Sequence, residues 1–334
     1  MQVTTPAPSP RAAPDAQETG PRVTVVVVTW QGAHLLGPCL DSLARQTLSH
    51  DVLVVDNAST DDTTAVLAAH PDVRVIRNHS NLGFAGGAQQ GLEGATGEWV
   101  AFLNNDAVAE PGWLDALLTA ARANPGVAAV TSLLLIADTE PPRVNNAGVV
   151  LLPTLYGTDR AAGADPARVA EPAEVFGFSG GAALLRRAAA RAVGGFPVRF
   201  FLYYEDTDLS WRLRLRGWSI RYEPAAVVHH RHAASSDVSS ALFAFHNERN
   251  RLLTLARCAP AGAAAGAWAR FVLTTASLAV RQVHTRRPQQ PRNLRIGLRI
   301  RVLLSAIRLL PWALGARARI RPGRGTTVDP GLGG

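Results

Sequence analysis

The chain has 334 residues, 47% apolar and 18% charged, a balance that excludes a disordered or fibrous protein and leaves room for one large domain or two of ordinary size. All 34 basic side chains are arginine, which excludes a lysine Schiff base or a P-loop lysine; against 26 acids they give a formal net charge of +8. That charge is uneven: residues 257–334 hold 14 Arg and one acid, Asp329, for a net of +13, whereas residues 1–256 hold 20 Arg against 25 acids, a net of −5.

Residues 1–21 contain Pro, Ala, Thr and Ser without an apolar h-region and read as a flexible leader. Val23 to Thr29 is a β-branched run that suits a strand buried on both faces. Leu35, Leu36, Leu40 and Leu43 form the stripe of a following helix. Asp51 to Asp56 (DVLVVD) is a second strand, and Asp61-Asp62 opens a helix to about His70. Val73 to Arg77 is a third strand, Phe84 to Gly94 a Gly-containing helix, and Trp99 to Leu103 a fourth strand ending at Asn104-Asn105-Asp106. A helix over Trp113 to Ala123 and a strand over Val127 to Ile136 follow. Residues 138–175 read as loop, Asp206 to Arg216 as a helix terminated by Gly217, and Trp218 to Tyr222 and Ala226 to His230 as two short strands. Cys39 and Cys258 are too few for a disulfide framework or a cysteine zinc site, and read as reduced thiols of a cytoplasmic protein.

This strand–helix alternation predicts an α/β fold, a mostly parallel Rossmann-like sheet with helices on both faces. Such sheets bind ligands at the carboxyl ends of their strands. Three polar clusters fall there: Thr29-Trp30, Asp56-Asn57 and Asn104-Asn105-Asp106. No GxxxxGK[ST] and no strand-following GxGxxG is present, which argues against nucleotide binding in the manner of NTPases or dehydrogenases.

The order of the motifs resembles the family 2 glycosyltransferases, which have a GT-A fold. VVVVTW (Val25–Trp30), VVDNASTDDT (Val54–Thr63), NLGFAGG (Asn81–Gly87), FLNNDA (Phe102–Ala107) and VGGFPVRFFLYYEDTDLSWRLRLRGW (Val193–Trp218) follow one another, and a Pro-x(5)-His element closes the series at Pro224–His230. The resemblance covers about residues 22–256, and NLGFAGG is typical of its rhamnosyltransferase-like branch. It implies an inverting transfer of a sugar, rhamnose or a similar hexose, from a nucleotide-diphosphate donor to a hydroxyl of a cell-surface or lipid-linked glycan.

The resemblance also implies roles. Asp106 matches the last Asp of the family's metal motif, and His230 its metal-binding histidine, together holding Mg²⁺ or Mn²⁺ against the diphosphate. The first Asp of that motif is replaced by Asn104, a neutral donor. His229 and His232 stay open as rivals to His230. Asp206 matches the general base; Asp208 and Glu205 read as an acidic helix start. Thr29, Trp30, Asp56, Asn81, Gly86, Asn104 and Asn105 are expected on the sugar nucleotide, with a core-edge packing role as the competing reading of Trp30. His246 to Arg251 (HNERNR) reads either as an acceptor element or, preferred, as a salt-bridged helix face.

Residues 257–334 read as an Arg-rich helical tail. Residues 261–283 are apolar but interrupted by Arg270. In Leu294 to Leu314 the apolar residues interleave with Arg295, Arg299, Arg301 and Arg308, which suits an anionic membrane surface at the inner face of the cell membrane. A helix packed on the catalytic domain is the competing reading. Nucleic acid is not expected, because no stacking pattern accompanies the arginines. Two other functions compete with glycosyl transfer: a non-catalytic nucleotide-sugar-binding relative, which should have lost Asp106 or Asp206, and a sugar nucleotidyltransferase, which needs a basic triphosphate segment where Thr29 to Leu36 has none.

Overall fold

The computed structural model describes residues 23–231, 240–284 and 294–320; the expected leader at 1–21, His232 and the arginines beyond 320 lie outside them. The first half alternates as the sequence predicts: β1 (Val23–Thr29), α1 (Ala33–Ala44), β2 (Asp51–Asp56), α2 (Thr63–Ala68), β3 (Arg74–Arg77), α3 (Gly83–Gly94) and β4 (Trp99–Leu103). Then come β5 (Ala107–Ala109), α4 (Trp113–Arg122), β6 (Val127–Ile136), β7 (Val144–Asn146), β8 (Val149–Leu151), β9 (Gly157–Asp159), β10 (Ala173–Glu174) and β11 (Ala182–Arg186). The remaining elements are α5 (Arg187–Ala192), α6 (Glu205–Leu215), β12 (Ser219–His230), α7 (Ala241–Cys258), α8 (Ala261–His284) and α9 (Ile296–Arg319).

The main sheet runs β10-β12-β6-β11-β4-β1-β2-β3, with β5 on β12 and β7 on β6. Pairing is parallel across β4-β1-β2-β3 and between β6 and β12. β11 is inserted antiparallel between β4 and β6, so the sheet is mixed where it meets the second half of the chain. Helices cover both faces. Val23, Val25 and Val27 of β1 pack with Leu36 and Leu43 of α1 and Trp113 and Leu117 of α4, whereas Val26 points to the other side, toward Ala88 and Leu92 of α3 and Leu209 and Leu213 of α6. This two-sided burial is why β1 carries an unbroken apolar run instead of an alternating one.

Two differences from the sequence reading have physical causes. Residues 138–175 are not a loop: four strands of two or three residues run through them, β8 and β9 forming their own hairpin. Strands that short show no period. The two strands expected around Pro224 are one strand, β12, whose register on β6 shifts between Glu223 and Val227. The shift is a bulge, the position in a sheet where proline's missing N–H costs least. Gly217 does end α6: at φ +83° it lets its own N–H reach Arg214 O (2.9 Å) and that of Trp218 reach Leu213 O (3.2 Å).

α9 packs along α7, and Trp312 of α9 meets Phe200 edge to face with ring centroids 6.1 Å apart, within the range usual for aromatic pairs. Arg257, the first residue of the expected tail, lies inside α7. Several tail arginines are turned inward. Arg299 donates to Thr275 Oγ1 (2.9 Å) and Phe271 O (3.1 Å), and Arg317 to Ala256 O (3.1 Å) and Ala259 O (2.6 Å). Among the described residues one segment, Ala261–Arg281 of α8, is long and apolar enough to cross a membrane, and it is mostly exposed.

Candidate active site

The parallel strands deliver the predicted polar residues to one edge of the sheet. Thr29 and Asp56 are register partners at the ends of β1 and β2. The turn after β4 closes with Ala107 N–H on Asn104 O (3.1 Å), and Asn105 Nδ2 donates to Thr29 Oγ1 (3.0 Å), joining the ends of β4 and β1. Gly32 sits so close to the Asn105 amide that a side chain there would collide with it. Asp56 Oδ1 accepts the Ser59 N–H (3.0 Å), and Asn57 spans from Gly83 O (3.0 Å) to Asn78 (2.8 Å). Trp30 is 54% exposed, which removes the core-edge reading. It is followed by Gln31 at φ +52°, whose amide oxygen accepts the N–H groups of Thr60 (2.9 Å) and Asp61 (3.1 Å). Sequence reasoning missed Gln31, because no local signal marks a glutamine for the left-handed region. Asn81 Oδ1 accepts the Gly83 N–H (2.8 Å), and Gly86 lies buried in α3 against its own Leu82.

A cleft of about 560 Å³ opens beside this edge. Asn104, His230, Ser179, Glu205 and Asp206 all line it, together with Tyr156 and Asp159 of the 138–175 segment. Thr29, Trp30, Asp56, Asn105 and Asp106 do not line it, lying at the neighbouring strand ends, nor do Asn81 and Gly86, which lie before and within α3; Asp106 reaches the cleft only through its contact with His230. β5 pairs antiparallel with β12, which sets Asp106 beside His230: Oδ1 is 3.0 Å from Nε2. The other ring nitrogen, Nδ1, lies 2.9 Å from Asn145 Oδ1. Nε2 also lies 3.4 Å from the Asn104 amide nitrogen, so both ring nitrogens have polar neighbours and the ring is fixed in orientation. Strand alternation turns His229 the other way, to Glu110 (3.1 Å).

This donor set can be tested for a divalent cation. A buried carboxylate oxygen 3.0 Å from an imidazole nitrogen is the spacing of two adjacent ligands that could share one cation. Among the described residues no group of three or more His, Cys, Asp or Glu could hold a metal alone. Two protein ligands fit an ion such as Mg²⁺ or Mn²⁺ that takes its remaining ligands from phosphate oxygens.

Across the cleft, Asp206 is held at both oxygens: Gly180 N–H donates to Oδ2 (3.0 Å), and Thr207 donates through its N–H and its hydroxyl (3.2 Å) to Oδ1. Burial pushes its pKa up, and those hydrogen bonds pull against the rise. Glu205 is fully enclosed and shifted well above the usual carboxylate range, first by burial and then by the neighbouring Asp206. Asp208 has no site role: its Oδ1 binds Arg212 (2.7 Å) and Arg257 (2.6 Å) in a buried network.

The segment that presents Asp206 is strained. Phe201, Tyr203 and Tyr204 have φ of +66°, +68° and +70°, a region L-residues rarely occupy. It is held by HNERNR. Asn250 Nδ2 donates to the carbonyls of Phe200 (3.1 Å), Leu202 (2.9 Å) and Tyr203 (2.8 Å), and Arg249 Nη2 to Phe200 O (2.7 Å). The salt-bridged face expected there accounts only for Glu248 and Arg251 (3.1 Å). Asn250 is fully buried and is a positioning residue that the motif's composition did not reveal.

A family model described as Glycosyl transferase family 2 matches residues 24–194. An N-acetylglucosaminyl-diphospho-decaprenol L-rhamnosyltransferase from Mycobacterium tuberculosis is 36% identical over 256 residues, covering 66% of this chain and 80% of that protein. A pre-mycofactocin glycosyltransferase from the same species is 31% identical over 228 residues, covering 67% of this chain and 45% of that one. Among solved structures, S. aureus TarS in complex with UDP-GlcNAc superposes with a TM-score of 0.55 at 17% identity, covering 90% of this chain and 88% of that one. A mannosyltransferase from Pyrobaculum calidifontis in complex with GDP-Man and Mn²⁺ superposes with a TM-score of 0.51 at 20% identity, covering 91% and 74%.

Proposed function

Because this chain belongs to glycosyl transferase family 2 and is a glycosyltransferase, we propose that it moves a hexose, rhamnose first among candidates, from a nucleotide-diphosphate donor to a hydroxyl of a lipid-linked glycan, with inversion. The observation that carries the reading is one cleft lined by Asp206 together with Asn104 and His230. The printed activity of the 36% identical relative supports the lipid-linked acceptor and the rhamnosyl donor. Family membership leaves no support for the nucleotidyltransferase reading, and retention of Asp106 and Asp206 speaks against a non-catalytic relative.

In this reading the acceptor oxygen attacks the anomeric carbon as its bond to the diphosphate breaks, and the hydroxyl proton passes to Asp206. Burial favours that transfer, since a carboxylate with a raised pKa is a stronger base. The N–H of Gly180 keeps Oδ2 in place, and Thr207 does the same for Oδ1. Asp206 acting as base, with Glu205 enclosed and held at a raised pKa, corresponds to a single displacement, hence inversion. Bound by Asp106 and His230, Mg²⁺ or Mn²⁺ would neutralise charge on the departing diphosphate. Trp30, exposed at the end of β1, would stack on the nucleoside, near Thr29 and Asp56.

The enzyme would work peripherally at the cytoplasmic face of a membrane. The support is an apolar exposed surface on α8 and α9, including Leu273 (69% exposed) and Ile300, with exposed arginines around it. Asp206→Asn is the direct test of the chemistry: transfer should fall by ~10²- to 10⁴-fold while nucleotide-sugar binding survives. Full turnover by that variant removes Asp206 as the base.

A further inference from the structure

A second cavity, about 610 Å³, lies between α7 and α9. Its walls are two helical stripes: Ala241, Leu242, Phe245 and His246 from α7, and Arg301, Leu304, Ser305 and Arg308 from α9. The mixture is unusual for a protein surface. Leu242 (52% exposed) and Leu304 (64% exposed) offer apolar area to solvent, and both arginines are exposed. Among the described residues neither arginine has a carboxylate at ion-pair distance. Arg301 lies over the Phe245 ring at 6.0 Å, at the edge of cation–π range. Arg299, on the same helix, is by contrast committed to Thr275 and Phe271.

This groove shares a wall with the catalytic cleft. Phe243 and Asn247 of α7 line the cleft, and Leu242, Phe245 and His246 line the groove on the adjoining face of the same helix. The wall is aromatic on both sides: Phe243 meets Tyr203 (centroids 4.9 Å) and His246 stacks on Phe201 (5.4 Å), in the segment that carries Asp206.

We infer that this groove holds the isoprenoid diphosphate end of the acceptor, its hydrocarbon along Leu242, Phe245 and Leu304 and its diphosphate on Arg301 and Arg308. Two cations flanking an apolar channel match an amphiphile whose head carries two phosphates, and guanidinium is suited to bidentate phosphate contact. A lipid-linked sugar acceptor has its diphosphate close to the reacting sugar, which requires its groove to adjoin the cleft, as this one does through the shared wall of α7. The inference rests on the lipid-linked acceptor reading above.

The test uses the full chain in detergent micelles with farnesyl diphosphate, farnesol and inorganic diphosphate as probes, nucleotide-sugar binding being measured alongside. Farnesyl diphosphate should bind at least tenfold more tightly than either fragment. The Arg301→Gln/Arg308→Gln double variant should weaken it at least tenfold with nucleotide-sugar binding unchanged, and Leu304→Asp should weaken it as well. Both arginines are exposed, so the double variant should fold, as a thermal melt will verify. Wild-type affinity in the double variant overturns the inference, as does equal binding of farnesol and its diphosphate. Failure of the wild type to bind farnesyl diphosphate while nucleotide sugar still binds overturns the groove and the lipid-linked acceptor together, and leaves glycosyl transfer standing.

Discussion

Replacing Asn250 with Ala tests whether the strained approach to Asp206 matters for catalysis. Its amide has two hydrogens directed at three carbonyls, so one is shared. Phe200 O keeps Arg249 as a donor in the variant, but the carbonyls of Leu202 and Tyr203 lose theirs. A buried group left unsatisfied costs about 1–3 kcal/mol, and because both contacts are part-buried the loss at Leu202 falls toward the lower end of that range before relaxation. Each left-handed residue at Phe201, Tyr203 and Tyr204 stores about 1–3 kcal/mol, so the segment has reason to rearrange once the clamp is gone. The expected result is a fall in kcat of about 10²-fold, the effect of a misplacement near 1 Å, with nucleotide-sugar affinity unchanged and Tm lowered by several degrees. Asn250→Asp, of equal size but unable to donate, should behave like Asn250→Ala. A kcat within twofold of wild type in both variants, or a loss confined to donor KM, refutes the reasoning.

Asp106→Ala should raise the KM for donor at least tenfold and remove any response to added Mn²⁺; transfer that is indifferent to EDTA would overturn the metal reading. Burial, then the nearby Arg249, lowers the pKa of His246 to about 4, against the hydrogen bond to Phe200 O, which raises it. The unfolded chain protonates this group near the ordinary value of 6.5, so wild type should lose stability relative to His246→Gln as pH falls from 6.5 toward 4. A Tm difference that stays constant over that window would count against it. Val272→Glu/Leu273→Glu places two acids on the exposed face of α8 and should reduce sedimentation with anionic liposomes several-fold; unchanged sedimentation removes that face from membrane docking.

What could be read from the residues was whatever depends on local pattern. The two-sided burial of β1, the stop at Gly217 and the pairing of strand ends near Thr29 and Asp56 follow from periodicity, glycine chemistry and the geometry of parallel sheets. What escaped depends on distant parts of the chain. Asn145 meets His230 across 85 positions and lies on a strand of three residues, VNN, that has no period. Nothing around Tyr203 and Tyr204 announces positive φ, because that conformation is imposed by Asn250 some 47 residues later. The tail shows a further limit. Its arginines were countable, but burial divides them: Arg257, Arg299 and Arg317 serve the interior, so the net +13 overstates the charge that any outside partner meets.

The break in register within β12 has a consequence for how such chains can diverge. Before it, Glu223 pairs with Ser132; after it, Val227 pairs with Leu133, so Pro224, Ala225 and Ala226 are slack on the β12 side. Which imidazole faces Asp106 is therefore decided by the four positions Val227 to His230 against β5 and β6, not by counting from Tyr222. Insertions in the slack would be absorbed without moving His230. A slip by one position beyond it that brought His229 into the place of His230 would still present an imidazole to the carboxylate, whereas the opposite slip would bring Arg231 there. Length variation on one side of the bulge and a histidine pair on the other make this corner of the cleft tolerant of the changes that most easily destroy a strand-borne site.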